Sequence, residues 1–179
     1  LHLLNSVLNI LKIMKFYYLI FLMFSTAPIV HSQNTDFHKK QIILVLDQWH
    51  EAAANADFNT YFNLMTEDAV FIGTDATENW TKKDFQNYAK PHFDKGKAWE
   101  FKPIQRNIYF SEDKKTAWFD ELLDTKMKIC RGSGILMYIN KEWKIAHYVL
   151  SITIPNEFTN EVIQIKQDTD NLILDELKK

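Results

Sequence analysis

Asp120, Gly134 and His147 are the residues whose types and spacing most suggest chemistry. They lie in three strings with strand character: Ala117-Trp118-Phe119-Asp120-Glu121, Arg131-Gly132-Ser133-Gly134 and Trp143-Lys144-Ile145-Ala146-His147. Polar turns at residues 111–115 and at Asn140-Lys141 punctuate this region. With Asn140-Lys141 as a two-residue hairpin loop, Ile139 faces Glu142, Leu136 faces Ile145 and Gly134 faces His147. Symmetric closure of residues 124–130 then sets Phe119 opposite Ile135 and Asp120 opposite Gly134. Asp120, Gly134 and His147 would form one row across three strands, with the glycine leaving room between acid and imidazole. A carboxylate beside a histidine raises the imidazole pKa and fixes its tautomer, as acid–base proton transfer at neutral pH requires. A structural hydrogen-bonded pair is the competing reading. A slip of one residue in either hairpin sends the side chains to different faces.

Other polar groups carry weaker signals. Glu121 and Arg131 share the opposite face in this register and read as an ion pair at a surface or an interface. His50 follows Trp49 at the edge of an apolar helical stripe, as a packing residue or a polar ligand contact. Asp75 and Glu78 flank a loop ending in Trp80, where Asx-type turn chemistry outweighs cation binding, since calcium needs more oxygen ligands. His92, beside Pro91, reads as packing or surface. Cys130 has no base partner. There is no HExxH or GxSxG, so neither metal nor nucleophilic catalysis is expected, and no cofactor.

The elements that position these residues change period midway. Ile42, Leu46, Trp49, Ala53 and Ala56 recur at helical spacing and predict a helix over 36–56. Asp57 reads as the N-cap of a second helix, Phe58 to Met65, and Thr81 with Asp84 as a capping-box-like start of a third. Pro91 should kink that third helix. Strands are expected at 69–73, 99–110, 116–124, 131–139 and 143–154. Helices followed by an antiparallel meander make an α+β domain, its helices packed on one face of a bent sheet. Residues 158–179 read as a C-terminal amphipathic helix or tail through Phe158, Val162, Ile165 and Leu172.

The chain has 179 residues, 25 of them aromatic, against 4 Gly and 4 Pro. That suits one domain with a real core and excludes collagen-like, disulfide-rich and glycine-loop nucleotide-binding classes. A net charge of −2 with mixed signs gives no basic stripe for nucleic acid. Met14-Lys15, the apolar run Phe16 to Phe24 and the break at Ser25-Thr26-Ala27-Pro28 lay out a secretory signal peptide, cleaved near Ser32-Gln33. An uncleaved anchor is the alternative. Met14 is a candidate start, with residues 1–13 upstream. The expected organisation is thus 1–32 upstream residues and signal, 33–157 α+β domain and 158–179 tail. The product would be exported, periplasmic or extracellular, with no stable membrane span after cleavage.

The element order, with the strings above and Leu46-Asp47-Gln48-Trp49-His50 and Phe71-Ile72-Gly73-Thr74-Asp75, resembles the SnoaL-like branch of the nuclear transport factor two-like superfamily. The likeness spans roughly residues 36–157. It implies a cone-shaped half-barrel, N-terminal helices on a strongly bent antiparallel sheet, with a pocket between sheet and helices. It also implies frequent homodimers through the outer sheet face. Ketosteroid isomerases, dehydratases, cyclases and non-catalytic binding domains share that fold, so fold alone leaves function open. The aromatic surplus favours an exported domain binding a small apolar or aromatic molecule through Trp49, His50, Trp80, Trp99, Trp118 and Trp143. The alternatives are a cofactor-independent isomerase, dehydratase or cyclase using Asp120 and His147, and a dimeric association module.

Overall fold

The computed structural model describes residues 11, 12, 14, 15 and 35–179. The expected signal segment and its cleavage point lie outside the described residues, apart from Met14 and Lys15. The chain divides into two compact units, residues 1–47 and 48–179. Helix α1 covers residues 35–54 and so crosses that boundary; in the first unit its Ile42 and Leu46 are buried. Among the described residues no helix is long and apolar enough to cross a membrane.

In the second unit the local signals work as their chemistry dictates. Ala56 adopts φ 55° after α1. Asp57 then caps α2 (Phe58–Asn63) by accepting a hydrogen bond from the Thr60 amide at 3.0 Å. Strand β1 (Met65–Ile72) begins earlier than the expected 69–73. The loop after it contains a short strand, β2 (Asn79–Thr81), whose three residues are too few to show a period in the sequence. Thr81 caps α3 (Lys82–Phe93), its hydroxyl both donating to Asp84 Oδ2 and accepting from the Asp84 amide. Pro91 sits in the last turn of α3, which ends two residues later.

Four long strands follow: β3 (Lys102–Phe110), β4 (Thr116–Thr125), β5 (Lys128–Ile139) and β6 (Glu142–Ile152). Strand β3 starts three residues later than expected, leaving Trp99 in the connection from α3. The sheet order is β2-β1-β6-β5-β4-β3. It is mixed rather than wholly antiparallel, because β1 runs parallel to β6. The long stretch of chain between those two strands permits a parallel pairing that no hairpin could make. A 3₁₀ turn (Asn156–Phe158) leads into α4 (Thr159–Leu177), which has no buried residue. The architecture is the expected α+β class with a C-terminal helix.

Register decides what the sheet presents. Asn140 and Lys141, both at positive φ, form the expected two-residue turn, and Ile139↔Glu142 and Leu136↔Ile145 pair as expected. Two features then overturn the expected row. Ala146 is an extra residue in β6, a bulge that sets Gly134 opposite Tyr148 and Ile135 opposite His147. At the other end β4 and β5 close through two residues, Lys126 and Met127, so Phe119 faces Gly134 and Asp120 faces Ser133. Each shift is one residue, and each inverts the faces beyond it. The helix-covered face therefore carries Phe119, Glu121, Tyr148 and Leu150, all buried. The opposite, open face carries Trp118, Asp120, Arg131 and His147.

Candidate functional site

The apolar alternation of β4 places Phe119, Glu121 and Leu123 on the helix-covered face, so an acid is carried inward between two core residues. Glu121 is fully buried and fully partnered. Its Oε1 accepts from His50 Nε2 at 2.8 Å and from the Tyr148 hydroxyl at 3.2 Å. Its Oε2 takes Arg106 Nε at 2.8 Å and lies 2.8 Å from Arg106 Nη2. Burial on its own pushes this carboxyl pKa up, but the His50 hydrogen bond and the Arg106 charge outweigh it, and the net shift is downward. Glu121 is thus an ionised acceptor, with the His50 Nε2–H as donor. Burial and then the Glu121 charge push the Tyr148 phenol well above the usual tyrosine value. Gly132 makes this cluster possible: a Cβ there would stand 2.1 Å from Tyr148 Oη and 3.1 Å from Glu121 Cγ.

A cavity of about 340 Å³ opens one ring layer away. Phe71, Trp80, Phe85 and Leu150 form part of its wall, and the α3–β3 connection closes another side with five consecutive residues, Lys97 to Phe101. The tip of the β4–β5 hairpin contributes Thr125, Lys126 and Met127. Phe101 touches His50 ring to ring, at 6.0 Å, and Phe71 stacks on Tyr148 at 5.5 Å. The charged cluster itself does not line the cavity.

The rings around the cavity lie nearly parallel. Tyr88 stacks on Trp80 at 4.4 Å, Trp80 on Phe85 at 5.6 Å and Phe85 on Phe71 at 3.9 Å, with interplanar angles of 24°, 11° and 16°. Trp99 joins Phe85 at 22° and Phe101 at 28°. Stacked on one another, these rings hold each other in place along the cavity wall.

The SnoaL-like domain profile matches residues 42–155, which run from within α1 to Pro155 and hold every residue of the cluster and the cavity. The chain belongs to the SnoaL-like domain family. Solved structures agree on the fold. This SnoaL-like domain superposes on an NTF2-like protein of unknown function from Pseudomonas putida KT2440 with TM-score 0.57 and 13% identity, over 68% of this chain and 91% of that one. A candidate dehydratase of the NTF2-like family from Streptomyces avermitilis gives TM-score 0.59 and 11% identity, over 68% and 99%. An NTF2-like protein from Cytophaga hutchinsonii gives 0.52 and 15%, over 64% and 98%. Comparison with curated proteins gives no match.

The SnoaL-like domain distributes the expected site residues among several places. Trp80 and Trp99 line the cavity. Trp49 is buried behind it, stacked on Tyr61 at 4.8 Å, and His50 belongs to the charged cluster. Trp143 is a core residue against Phe110 and Tyr138. Trp118 lies on the open face, 47% exposed, stacked on Tyr109. Asp120 and His147 also lie on the open face, in different rows, with Asp120 accepting from Asn107 Nδ2 at 3.1 Å. Their expected convergence is not formed. Nor is the Glu121–Arg131 pair, since those side chains occupy opposite faces; the cation of Glu121 is Arg106, directly across the β3–β4 ladder. The reading of Asp75 as a turn residue agrees with its hydrogen bonds from the Thr77 amide and hydroxyl. Among the described residues no three His, Cys, Asp or Glu side chains group as metal ligands would. Arg106 and the wall residues Phe71, Phe85 and Phe101 are not among the expected site residues. The period-two burial of β4 was the available signal for Glu121.

Proposed function

We propose that this SnoaL-like domain binds a flat apolar or aromatic small molecule in the 340 Å³ cavity. The observation that carries the reading is the parallel set of rings at the cavity wall. The volume lies within the range of small-ligand sites, and an apolar lining with few polar groups is their usual make-up. Binding without turnover is the reading favoured. The charged groups suited to proton transfer, His50 and Glu121, are buried and mutually satisfied, with the cavity-lining Phe101 packed against His50. The protein is also proposed to be exported, on the layout of residues 14–32; N-terminal sequencing of the mature protein should begin at Gln33, and an intact Met14 would contradict export by cleavage.

Acridine, a neutral planar probe at about pH 8, tests the pocket by isothermal titration calorimetry. Trp80→Ala and Trp99→Ala should each weaken binding about fivefold to tenfold, the worth of one stacking wall. Ala98→Phe, which fills the space from its side, should abolish binding. Trp118→Ala, on the open face, should leave it unchanged. Equal sensitivity to Trp118→Ala and Trp99→Ala, or no binding at all, would sink the reading.

A second reading, association between copies of the chain, draws on the open sheet face. Tyr109, Trp118, Ile135 and Met137 are each between 39% and 47% exposed there, an unusual run of large apolar side chains on one surface.

A further inference from the structure

The cavity carries ionisable groups whose partners differ. Glu100 is held by Lys97 at 2.7 Å and by Lys102 at 3.1 Å, and the two ammonium groups lower its pKa to about 2. Lys97 and Glu100 are therefore already committed to each other. Glu78 is different. It lines the cavity, half-buried, and among the described residues it forms no ion pair. Its Oε2 accepts from the Asp75 amide at 3.2 Å.

The backbone is shaped around this carboxylate. A Cβ on Gly73 would stand 2.1 Å from Glu78 Oε2, so the bare glycine lets the carboxylate lie in its present place against the backbone. The Gly73 amide donates to the Glu78 carbonyl at 2.9 Å, which ties the two ends of the loop together. Next to it stand Trp80 and Tyr88. The Tyr88 phenol is pushed up by burial and by the Glu78 charge, so that negative charge is felt at the ring stack. The π faces of tryptophan and tyrosine are themselves electron-rich and attract cations. Lys126, the remaining cation at the cavity, is exposed at the hairpin tip.

We infer that the cavity selects planar molecules bearing a positive charge, with the ring system against Trp80 and Trp99 and the cationic end on Glu78. This rests on the reading of the cavity as a ligand site. Three probes of nearly one shape separate the alternatives at about pH 8: N-methylacridinium, a fixed cation; acridine, neutral; and acridine-9-carboxylate, an anion. Titrated into the full-length protein, the cation should bind about tenfold tighter than acridine, and the carboxylate weakest. Glu78→Gln, which keeps an oxygen for the Asp75 amide, should bring cation and neutral probe within about twofold. Its circular dichroism and melting curve should match those of the wild type, which reports an intact fold. Acridine binding with no preference for the cation, a preference for the carboxylate that Lys126→Gln removes, or a cation preference surviving Glu78→Gln would each overturn the inference while leaving the pocket standing. Failure of all three probes would overturn the pocket and the inference together.

Discussion

At the scale of single residues, Glu121 organises the interior. Its carboxylate joins β4 to the end of α1 through His50, to β3 through Arg106 and to β6 through Tyr148. Glu121→Gln leaves Arg106 buried without its counter-charge, a loss of about 3–5 kcal/mol at neutral pH measured by chemical denaturation. The folded-state pKa of Glu121 lies below the ordinary glutamate value of 4.5. Its electrostatic contribution is therefore present in full above pH 4.5 and is lost as the pH falls through the lower folded value. Denaturation curves should show the wild type losing stability over that acid window and Glu121→Gln losing less. An equal slope in both would contradict the assignment. Gly132→Ala should cost about 1–3 kcal/mol by driving Tyr148 off Glu121, with Tyr148→Phe in the same chain relieving only part of it. Glu121 could have been recognised as an inward-facing acid from its place between Phe119 and Leu123. Its partners could not, because β3 starts late and carries a register shift between Pro103 and Gln105.

At the scale of elements, caps and turns were legible and register was not. Asp57, Thr81 and Asn140-Lys141 behave as local chemistry requires, since each acts on its immediate neighbours. Which face a strand buries depends on events of one residue. Ala146 bulging from β6 and the two-residue closure at Lys126-Met127 leave no mark that periodicity can read, and together they moved Asp120 and His147 to the open face. The β5–β6 turn retains a residue that local geometry disfavours: Lys141 holds φ 69°. Lys141→Gly should raise stability by about 0.5–1 kcal/mol, as an Asn-Gly pair suits two positive φ angles. A drop in melting temperature would show that the lysine has a role that its backbone does not reveal.

At the scale of the whole molecule, two surfaces compete for meaning. The open sheet face exposes Trp118 and its neighbours, and α4 buries none of its residues. If the sheet face joins two copies, sedimentation should show a dimer that Trp118→Glu converts to monomer with little change in acridine affinity. A monomer in the wild type removes that reading. The cavity, by contrast, makes its claim through internal order, and two of its wall residues were expected. The aromatic surplus pointed to a lined pocket, and Trp80 and Trp99 stand in its wall. Trp118 and Trp143 do not, since the first followed the register to the open face and the second was drawn into the core. A co-crystal structure with acridine tests the central claim most directly. The ring system should lie within the cavity, parallel to Trp80, Phe85 and Trp99 and in contact with at least two of them. Acridine seated on the open sheet face, or an empty cavity beside saturating probe, would contradict it.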